Sequence, residues 1–337
     1  MKSLIYYGPH DLRYGDSPQP KIKSGEVLLK IKSVGICGTD LHIYNGGMKN
    51  LPLPLIMGHE FSGVIEEVAR DVKNFKVGDR VIAEHVINCG KCSYCLSGRP
   101  NLCSNSQIIG LHRPGALAEY LAVPAALVYK IPAKLSFEEG AMIEPLSIAY
   151  YAVKQARGLL GRKVAVIGQG PIGLLLDQIL HDAGAEVIGI DIADWRLKLA
   201  KKKKWADHTI NSSQKTWLKK IQKIAPEGVD TVFEVVGREE TAEMAIEIAR
   251  RDGDVFILGV FESAASLNMM NIVKKELNIF GSWTCAFSFP PSIALAAAKK
   301  VDLKSLITNR YDAKDGALAF KESASYKGKR IKTVINF

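Results

Sequence analysis

Four closely spaced cysteines constrain the fold of this chain more than any other feature. They share a fifteen-residue segment with the pattern Cys-x2-Cys-x2-Cys-x7-Cys, at Cys89, Cys92, Cys95 and Cys103. Gly90, Gly98 and Pro100 allow so short a segment to turn back on itself. Four thiolates at this spacing suit a tetrahedral zinc ion with no open coordination position. The segment therefore predicts a structural zinc lobe whose metal supplies its folding energy.

Two disulfides are the alternative for the same four cysteines, and they require an oxidising compartment. The first twelve residues contain one lysine and no apolar segment of the kind found in secretory signals. The most apolar stretch, residues 141–153, is interrupted by Glu144 and Pro145. We therefore expect zinc rather than disulfides, a cytoplasmic location and no membrane partner.

The composition is that of a soluble protein with room for two domains. The chain has 337 residues, of which 47% are hydrophobic and 24% are charged. Its net charge of +10 favours anionic partners in general. The lysine run at residues 201–204 follows a helical stretch, and the cysteine segment contains no recognition helix. We expect solvated lysines and no bound nucleic acid.

A glycine-rich turn in the middle of the chain predicts a dinucleotide site. Residues 163–167 form a β-branched strand, a Gly-x-Gly-x-x-Gly motif follows, and an apolar helical stretch leads to a second strand that ends at Asp191. This strand, turn and helix context is the one that the dinucleotide interpretation requires. The helix N-terminus would face the pyrophosphate. Asp191 would bind the ribose hydroxyls and repel a 2′-phosphate, which favours NAD over NADP.

Strands and helices continue to alternate after this unit. Strands are predicted at residues 229–236, 254–260 and 277–283, and a helix at residues 239–250. Such alternation predicts a doubly wound parallel sheet, the Rossmann arrangement, whose strand ends would flank the nicotinamide half of the cofactor. The predicted cofactor-binding residues are Gly168, Gly170, Pro171, Ile172, Gly173, Asp191, Arg196, Val236, Leu258 and Val260.

The N-terminal third has a different pattern. Short strands at residues 27–34, 63–68, 80–85 and 117–123 are separated by Gly, Pro and Asp turns, which predicts a β-rich, barrel-like domain. Residues 330–336 alternate like a strand and would return to this domain. We therefore expect an α/β protein with a discontinuous β-rich catalytic domain at residues 1–145 and 286–337. The Rossmann domain would occupy residues 146–285.

Four residues of the β-rich domain have side chains suited to a catalytic zinc. Cys37, His59, Glu60 and Glu144 offer a thiolate, an imidazole and two carboxylates, a mixed set that leaves an exchangeable position. Their spacing alone does not define a site. Cys37 could instead be a small buried residue, and His59 a hydrogen-bonded core histidine.

Five motifs, in one order, resemble the zinc-containing medium-chain alcohol dehydrogenases. They are residues 35–42, residues 58–63, the cysteine lobe, residues 144–147 and residues 168–173. The resemblance spans nearly the whole chain and implies a GroES-like catalytic domain beside the Rossmann domain. The sequence Glu-Pro-Leu-Ser at residues 144–147 resembles the polyol branch, with its sorbitol, xylitol and galactitol-phosphate dehydrogenases.

The resemblance implies two zinc ions per chain, one in the cysteine lobe and one catalytic. Cys37, His59 and Glu60 would hold the catalytic ion, with Glu144 as a fourth or exchanging ligand. The ion would lower the pKa of the substrate hydroxyl so that hydride can pass to NAD.

The resemblance also implies a path for the proton. Thr39 would accept the hydroxyl proton, the cofactor ribose would pass it to His42, and His42 would release it to solvent. Asp40 would orient His59 or a neighbour. Lys204 and Asp177, which take no part in this proton path, depart from the family pattern. Lys204 stands where the helix after Asp191 usually ends in glycine, and Asp177 interrupts an apolar helix face.

The exact substrate is left open. We expect a secondary alcohol, a polyol or polyol phosphate, to be oxidised to a ketone. The alternative substrates are those of an L-threonine 3-dehydrogenase-like enzyme, butanediol or another secondary alcohol. The alternative without an enzymatic activity is a zinc-binding relative that does not catalyse a reaction. Tyr44, His112 and Glu119 are candidate pocket residues, although each could equally be packed or at the surface. Edge strands near residues 254–260 or 277–283 would support a homodimer or homotetramer.

Overall fold

The computed structural model describes residues 1–325 and 328–337 and divides into two compact units. Met1–Pro145 and Phe289–Phe337 form the first, and Leu146–Ser288 form the second. We call them the β-rich unit and the parallel-sheet unit. Residues 286–288, expected in the first, belong to the second.

The β-rich unit is built from short strands at both ends of the chain. They are β1 (Lys2–Gly8), β2 (Asp11–Asp16), β3 (Glu26–Gly35), β4 (Leu55–Ile56), β5 (Glu60–Val68), β6 (Arg80–Ala83), β7 (Val86–Ile87), β8 (Gln107–Ile108), β9 (Tyr120–Pro124), β10 (Val128–Lys130), β17 (Ile307–Asp312) and β18 (Lys332–Asn336). The main sheet has the order β10-β6-β5-β3-β18-β17, and β9 also pairs with β3. The last strand, β18, runs antiparallel to β3. The C-terminal segment therefore completes the sheet that the N-terminal third begins.

Helices in this unit are short and lie between strands. They are α1 (Gly38–Tyr44), α2 (Ser93–Leu96), α3 (Phe137–Ala141), α10 (Phe289–Ala297) and α11 (Gly316–Ala324), with single 3-10 turns at Pro100–Leu102, Ala125–Leu127, Lys304–Leu306 and Ala313–Asp315. Helix α4 (Ile143–Gln155) contains the boundary between the units. Helix α3 has a sequence-encoded start, because Ser136 and Glu139 cap each other's backbone amides.

The parallel-sheet unit alternates strands and helices. Its elements are β11 (Lys163–Ile167), α5 (Pro171–Asp182), β12 (Glu186–Asp191), α6 (Asp194–Lys203), β13 (His208–Asn211), α7 (Trp217–Ile224), β14 (Val229–Glu234), α8 (Glu239–Ile248), β15 (Ala249–Ile257), α9 (Met269–Lys275) and β16 (Asn278–Gly281). The strand order is β13-β12-β11-β14-β15-β16, with every pair parallel. Val164, Ala165 and Val166 of the central strand are fully buried, as expected for a sheet covered on both faces. The predicted doubly wound sheet is confirmed.

Two local features differ from the sequence expectations. Strand β15 begins at Ala249, five residues before the predicted start, because Ala249 already pairs with Val229. It is paired on both sides, so β16 is the sheet edge in this region. The turn after α6, which lacks glycine, is made by Lys204 in the left-handed conformation at φ 58°. Within the described residues, no helix combines the length and apolarity needed to span a membrane.

Candidate functional site

Three of the predicted metal ligands come together in the β-rich unit. Cys37 precedes α1, His59 precedes β5, and Glu60 is the first residue of β5. One ligand atom from each lies within 4.8 Å of the others, and His59 and Glu60 are buried. Because a thiolate, an imidazole and a carboxylate converge, this donor set fits a zinc ion with an open position. Glu144 does not join this group of ligand atoms.

Asp40 holds two of these ligands in place. Its Oδ2 accepts the backbone N–H of Cys37 at 2.9 Å, and its Oδ1 lies 3.6 Å from Nδ1 of His59. Burial would lower the pKa of His59, but Asp40 and Cys37 together raise it well above its usual value. Because Nδ1 faces a carboxylate, Nε2 is the ring nitrogen available to a metal.

Glu60 has a second partner from the far end of the chain. Nζ of Lys332 donates to both carboxylate oxygens of Glu60, at 2.6 and 2.8 Å, and to the carbonyl oxygen of Ile36 at 3.1 Å. Burial alone would lower the pKa of Lys332, but Glu60 and Cys37 raise it. A metal at this site would therefore share Glu60 with a buried ammonium group.

Glu144 is held beside the cluster by a residue that the motifs did not indicate. Its Oε1 lies 3.2 Å from Nδ1 of His85, and both side chains are buried. Burial, with the neighbouring Glu60, raises the pKa of Glu144 to about 8. Burial, with the neighbouring His59, lowers the pKa of His85 to about 3. Burial is the larger cause of both shifts, and a like-charged neighbour adds to each.

The two predicted proton-transfer residues share one helix. Thr39 and His42 lie three residues apart in α1, on the same side of the helix, and both are half-buried. The His42 ring packs against the backbone of Gly47, where a Cβ would overlap it. The helix therefore presents a hydroxyl and an imidazole one turn after Cys37.

The three candidate pocket residues occupy separate places in the β-rich unit. Tyr44 is buried in the core, with its ring 5.1 Å from that of His10 and 5.6 Å from that of Phe320. Nδ1 of His112 accepts the Ile108 backbone N–H at 3.0 Å. Oε2 of Glu119 accepts the backbone N–H of Lys2 at 2.7 Å. Each has different partners, and their role in substrate binding stays a prediction.

The cysteine lobe brings its four sulfur atoms together without disulfides. The ligand atoms of Cys89, Cys92, Cys95 and Cys103 lie within 4.8 Å of one another, and all four are free thiols. Gly90 and Gly98 adopt left-handed φ values of 69° and 78°, which the tight wrap requires. Most of the lobe is exposed, including Leu96 at 76%. It has almost no apolar core, so the donor set fits a metal that replaces one.

The thiols of the lobe differ in acidity. Backbone amides, led by that of Lys91, lower the pKa of Cys89 to about 6. Burial and the neighbouring Cys92 raise the pKa of Cys95 to about 12. Four thiolates this close together repel one another unless a cation is bound. The lobe therefore fits zinc binding that releases protons.

The glycine-rich turn has the geometry of a phosphate-binding loop. Gly168 has φ 101°, Gly170 is the N-cap of α5 and Pro171 begins the helix, with Ile172 and Gly173 in its first turn. A Cβ at Gly173 would overlap the carbonyl oxygen of Gly168. The glycines therefore allow the turn to pack closely against α5. The backbone amides at the N-terminus of α5 stay available to a phosphate group.

Asp191 links this turn to the next one. Its two carboxylate oxygens accept the backbone N–H of Gln169 and of Ala193, each at 2.7 Å. Nη1 of Arg196 lies 3.5 Å from the same carboxylate. The acid at the end of β12 therefore positions both loops that would surround the adenosine, besides being available to ribose hydroxyls.

Glu234 organises the loops after β14 and β15. Its Oε1 accepts the N–H groups of Val236 and Gly237 at 2.8 and 2.9 Å. Its backbone carbonyl accepts the N–H groups of Leu258 and Gly259 at 2.8 and 3.1 Å. Val236 and Val260, predicted at the nicotinamide half, are 40% and 66% exposed at these strand ends. Sequence patterns missed Glu234, although a carboxylate that ends a buried strand is an unusual residue there.

Comparison with known proteins places the chain in a family. Residues 23–133 match the alcohol dehydrogenase GroES-like domain family, and residues 171–298 match the zinc-binding dehydrogenases. The chain belongs to the zinc-containing medium-chain alcohol dehydrogenases. The expected family and the expected α/β fold, with GroES-like and Rossmann domains, are confirmed.

Similar proteins narrow the family to a branch. Sorbitol dehydrogenase of Bacillus subtilis is 34% identical over 342 residues, covering 99% of this chain and 97% of that protein. Galactitol-1-phosphate dehydrogenase of Escherichia coli has a TM-score of 0.93 at 31% identity, covering 100% of each chain. An alcohol dehydrogenase of E. coli CFT073, solved with NADH, has a TM-score of 0.94 at 32% identity, covering 100% of this chain and 99% of that one. The polyol branch expected from residues 144–147 is confirmed.

Proposed function

We propose that this protein is an NAD-dependent zinc dehydrogenase that oxidises a secondary hydroxyl of a polyol or polyol phosphate to a ketone. The observation that carries the proposal is the buried convergence of Cys37, His59 and Glu60, with ligand atoms within 4.8 Å of one another. The names of similar proteins, sorbitol and galactitol-1-phosphate dehydrogenases, support the polyol class.

Each residue of the site has a defined part in this reaction. Cys37, His59 and Glu60 would hold the zinc ion, and Asp40 faces the His59 ring. When bound, zinc would polarise the substrate hydroxyl and NAD would accept the hydride. Lys332 limits how much negative charge Glu60 offers, because it shares the same carboxylate.

The proton of the substrate hydroxyl leaves through the first helix. Oγ1 of Thr39 accepts it from the substrate and gives up its own proton, which the ribose of a bound cofactor would carry to His42, and the imidazole of His42 releases it to solvent. Glu144 lies beside the zinc ligands as an exchanging carboxylate or as a substrate contact. The four sulfur atoms of the cysteine lobe would hold a second, structural zinc ion.

We propose NAD rather than NADP as the cofactor. The Asp191 carboxylate ends β12 and already accepts two backbone amides, so its charge is fixed in the ribose position. A fixed carboxylate there repels a 2′-phosphate. Arg196 lies against this carboxylate, and it offsets part of the repulsion.

The test is NADH formation by the zinc-loaded protein with sorbitol, xylitol, galactitol, their phosphates, threonine and simple secondary alcohols. NADP replaces NAD in a parallel series, and zinc is counted per chain. We expect one favoured polyol, a preference for NAD and two zinc ions. A preference for polyol phosphates would also indicate that the net charge of +10 helps to attract an anionic substrate.

Variants separate the two metal sites. Cys37→Ala should lose the catalytic zinc and turnover while the cysteine lobe keeps its ion. Unchanged turnover in this variant would refute the proposed site. No turnover across the panel by protein that holds two zinc ions and binds NADH would refute the proposed activity.

We also propose a homodimer or homotetramer. Strand β16 is an edge strand, and Met269, Met270, Val273 and Ile279 beside it are exposed apolar residues. A second copy could pair with this edge across a two-fold axis. Light scattering should give a multiple of the chain mass, and Ile279→Lys should reduce it.

A further inference from the structure

Gln169 and Asp177 form a buried polar pair to which the proposed reaction assigns no role. Gln169 lies between the first two glycines of the glycine-rich turn, and Asp177 lies about two helical turns along α5. Both side chains are fully buried. Nε2 of Gln169 donates to Oδ1 of Asp177 at 3.3 Å and to the backbone carbonyl oxygen of Val166 at 3.5 Å. The pair therefore joins the glycine-rich turn to the helix that follows it.

Each member of the pair has one oxygen atom without a hydrogen-bond partner. These atoms are Oε1 of Gln169 and Oδ2 of Asp177, and both are buried. If Asp177 is ionised, both atoms are acceptors and neither can satisfy the other, which is unfavourable away from water. If the carboxyl group is protonated at Oδ2, its O–H can donate to Oε1. The two side chains then share two hydrogen bonds, as a carboxylic acid and an amide can.

We propose that Asp177 is a neutral carboxylic acid that holds Gln169 through two hydrogen bonds and thereby positions the glycine-rich turn for the pyrophosphate of the dinucleotide. Asp177 is a positioning residue, because it acts through Gln169. This inference rests on the proposed function, since the pyrophosphate belongs to the proposed cofactor.

Gln169 transmits this restraint to the backbone of the turn. Its backbone N–H donates to Oδ2 of Asp191 at 2.7 Å. Its side-chain amide lies against Gly189 of β12, where a Cβ would come within 3.0 Å of it. Gly168 and Gly170 have no side chain that could hold the turn, so Gln169 is the residue between them that can. Backbone amides that are fixed before binding hold a phosphate group more tightly than mobile ones.

Burial keeps the Asp177 carboxyl group neutral. It raises the pKa of Asp177 well above its usual value, and the hydrogen bond from Gln169 offsets only part of this. Helix α5 packs on β11 and β12. The other titratable residues of these three elements are Lys163, His181, Asp182, Glu186 and Asp191. None of them contributes to the raised pKa, so the proton is retained because of desolvation rather than a neighbouring charge.

The first experiment measures the dissociation constant of NADH from zinc-loaded wild type, Asp177→Asn, Asp177→Leu and Gln169→Leu at neutral pH. Asparagine can form the same two hydrogen bonds, because its amide N–H replaces the acid O–H, whereas leucine forms neither. We expect Asp177→Asn to stay within about twofold of wild type and each leucine variant to bind NADH about tenfold more weakly. The two leucine changes together should cost no more than one alone, because both remove the same interaction.

The second experiment observes the proton directly. The infrared difference spectrum of wild type minus Asp177→Asn at neutral pH should contain the carbonyl stretch of a protonated carboxylic acid, and this band should shift in D2O. The subtraction removes the bands of other buried acids such as Glu144, which both proteins share. Thr231→Val, which removes a fully buried hydroxyl without a partner from β14, is the matched control. It should keep the wild-type affinity for NADH and the wild-type band.

Several results would overturn the inference. These are a difference spectrum without the carboxylic acid band, an Asp177→Asn variant as impaired as Asp177→Leu, wild-type NADH affinity in Gln169→Leu, or additive losses in the double variant. Circular dichroism tests whether each variant is folded, and if Asp177→Leu is not, Asp177→Asn and Gln169→Leu decide the inference. Wild type that binds neither NADH nor NADPH would instead refute the proposed function. The infrared band would then decide the hydrogen-bonded pair alone, and its absence would overturn it.

Discussion

At the scale of single residues, Asp177 shows how burial fixes a protonation state. It lies in the middle of α5, fully buried, where Nε2 of Gln169 donates to it at 3.3 Å. Burial raises the pKa of Asp177 well above its usual value, and the Gln169 bond offsets only part of this. The folded protein therefore keeps a proton that the unfolded chain loses above about pH 4. Stability falls as the pH rises from there toward the folded-state pKa.

Replacing this carboxyl should remove that loss of stability. Relative to wild type, Asp177→Asn should gain about 1.4 kcal/mol of unfolding free energy for each pH unit above about 4, up to the folded-state pKa. Urea denaturation across a pH series measures it. Asp177→Leu should show the same slope with a different offset, because both variants lack the titrating group. A difference from wild type that does not change with pH would contradict this account.

Gly47 illustrates a residue whose missing side chain matters. A Cβ there would overlap the ring of His42, which is the end of a flexible side chain and can rotate away. Gly47→Ala should therefore lower kcat about tenfold and alter its pH profile, with little change in stability. Gly38→Ala, where a Cβ meets nothing within 4 Å, is the control. The Gly47→Ala and His42→Ala changes should not be additive; additive losses would place the effect elsewhere.

At the scale of elements, loops at the carboxyl ends of strands are held by a few buried acids. Glu234 binds the amides of the loop after β14 through its side chain and those of the loop after β15 through its carbonyl. A Cβ at Gly168 would lie 2.6 Å from Val236, so the same loop also packs against the glycine-rich turn. The carboxylate therefore fixes the loop after β14, which packs against the glycine-rich turn, and the backbone carbonyl of the same residue binds the loop after β15.

Weakening the hydrogen bonds to the Glu234 side chain should weaken cofactor binding without affecting metal binding. Glu234→Gln should raise the dissociation constant of NADH about tenfold, because an amide is a weaker acceptor for two backbone N–H groups. Zinc content should not change, since the ligands lie in the other unit. Thr241→Val, which removes a hydroxyl that donates to Glu234 and accepts the backbone N–H of Arg238, is the milder control. Equal NADH affinity in wild type and Glu234→Gln would show that the loops keep their conformation without the Glu234 carboxylate.

At the scale of the whole molecule, the two ends of the chain meet at the candidate metal site. Lys332 in β18 pairs with Glu60 in β5 across 272 residues of sequence, and both side chains are at most 3% exposed. Removing one partner leaves a charge buried and unpaired. The C-terminal strand is therefore part of the site as well as of the sheet.

Lys332→Met should cost about 3–5 kcal/mol of unfolding free energy. Arg310→Met on the neighbouring strand β17 is the matched control, because its pair with Glu138 is partly exposed and should cost less than about 1 kcal/mol. Denaturant unfolding of the zinc-free proteins measures both. Adding Glu60→Gln to Lys332→Met should recover part of the loss, and similar costs for the two single variants would refute the argument.

The amino-acid sequence alone determined the architecture. Periodicity, turn residues and glycine spacing are local, so the parallel sheet, the glycine-rich turn and the cysteine lobe could be predicted from short segments. The boundaries were less predictable, as β15 shows, because pairing with a neighbouring strand extends an element beyond its own pattern. The metal ligands and the branch could be predicted only through resemblance, since their spacing did not define a site.

Only the tertiary structure decided which groups share a buried environment. Three buried contacts join positions that are distant in sequence or that belong to no sequence motif. They are Lys332 with Glu60, His85 with Glu144, and Gln169 with Asp177. No periodicity marks them, because charge pairing and desolvation depend on distance and burial rather than on sequence spacing. A sequence states which ionisable groups exist, and folding decides which of them face one another without water.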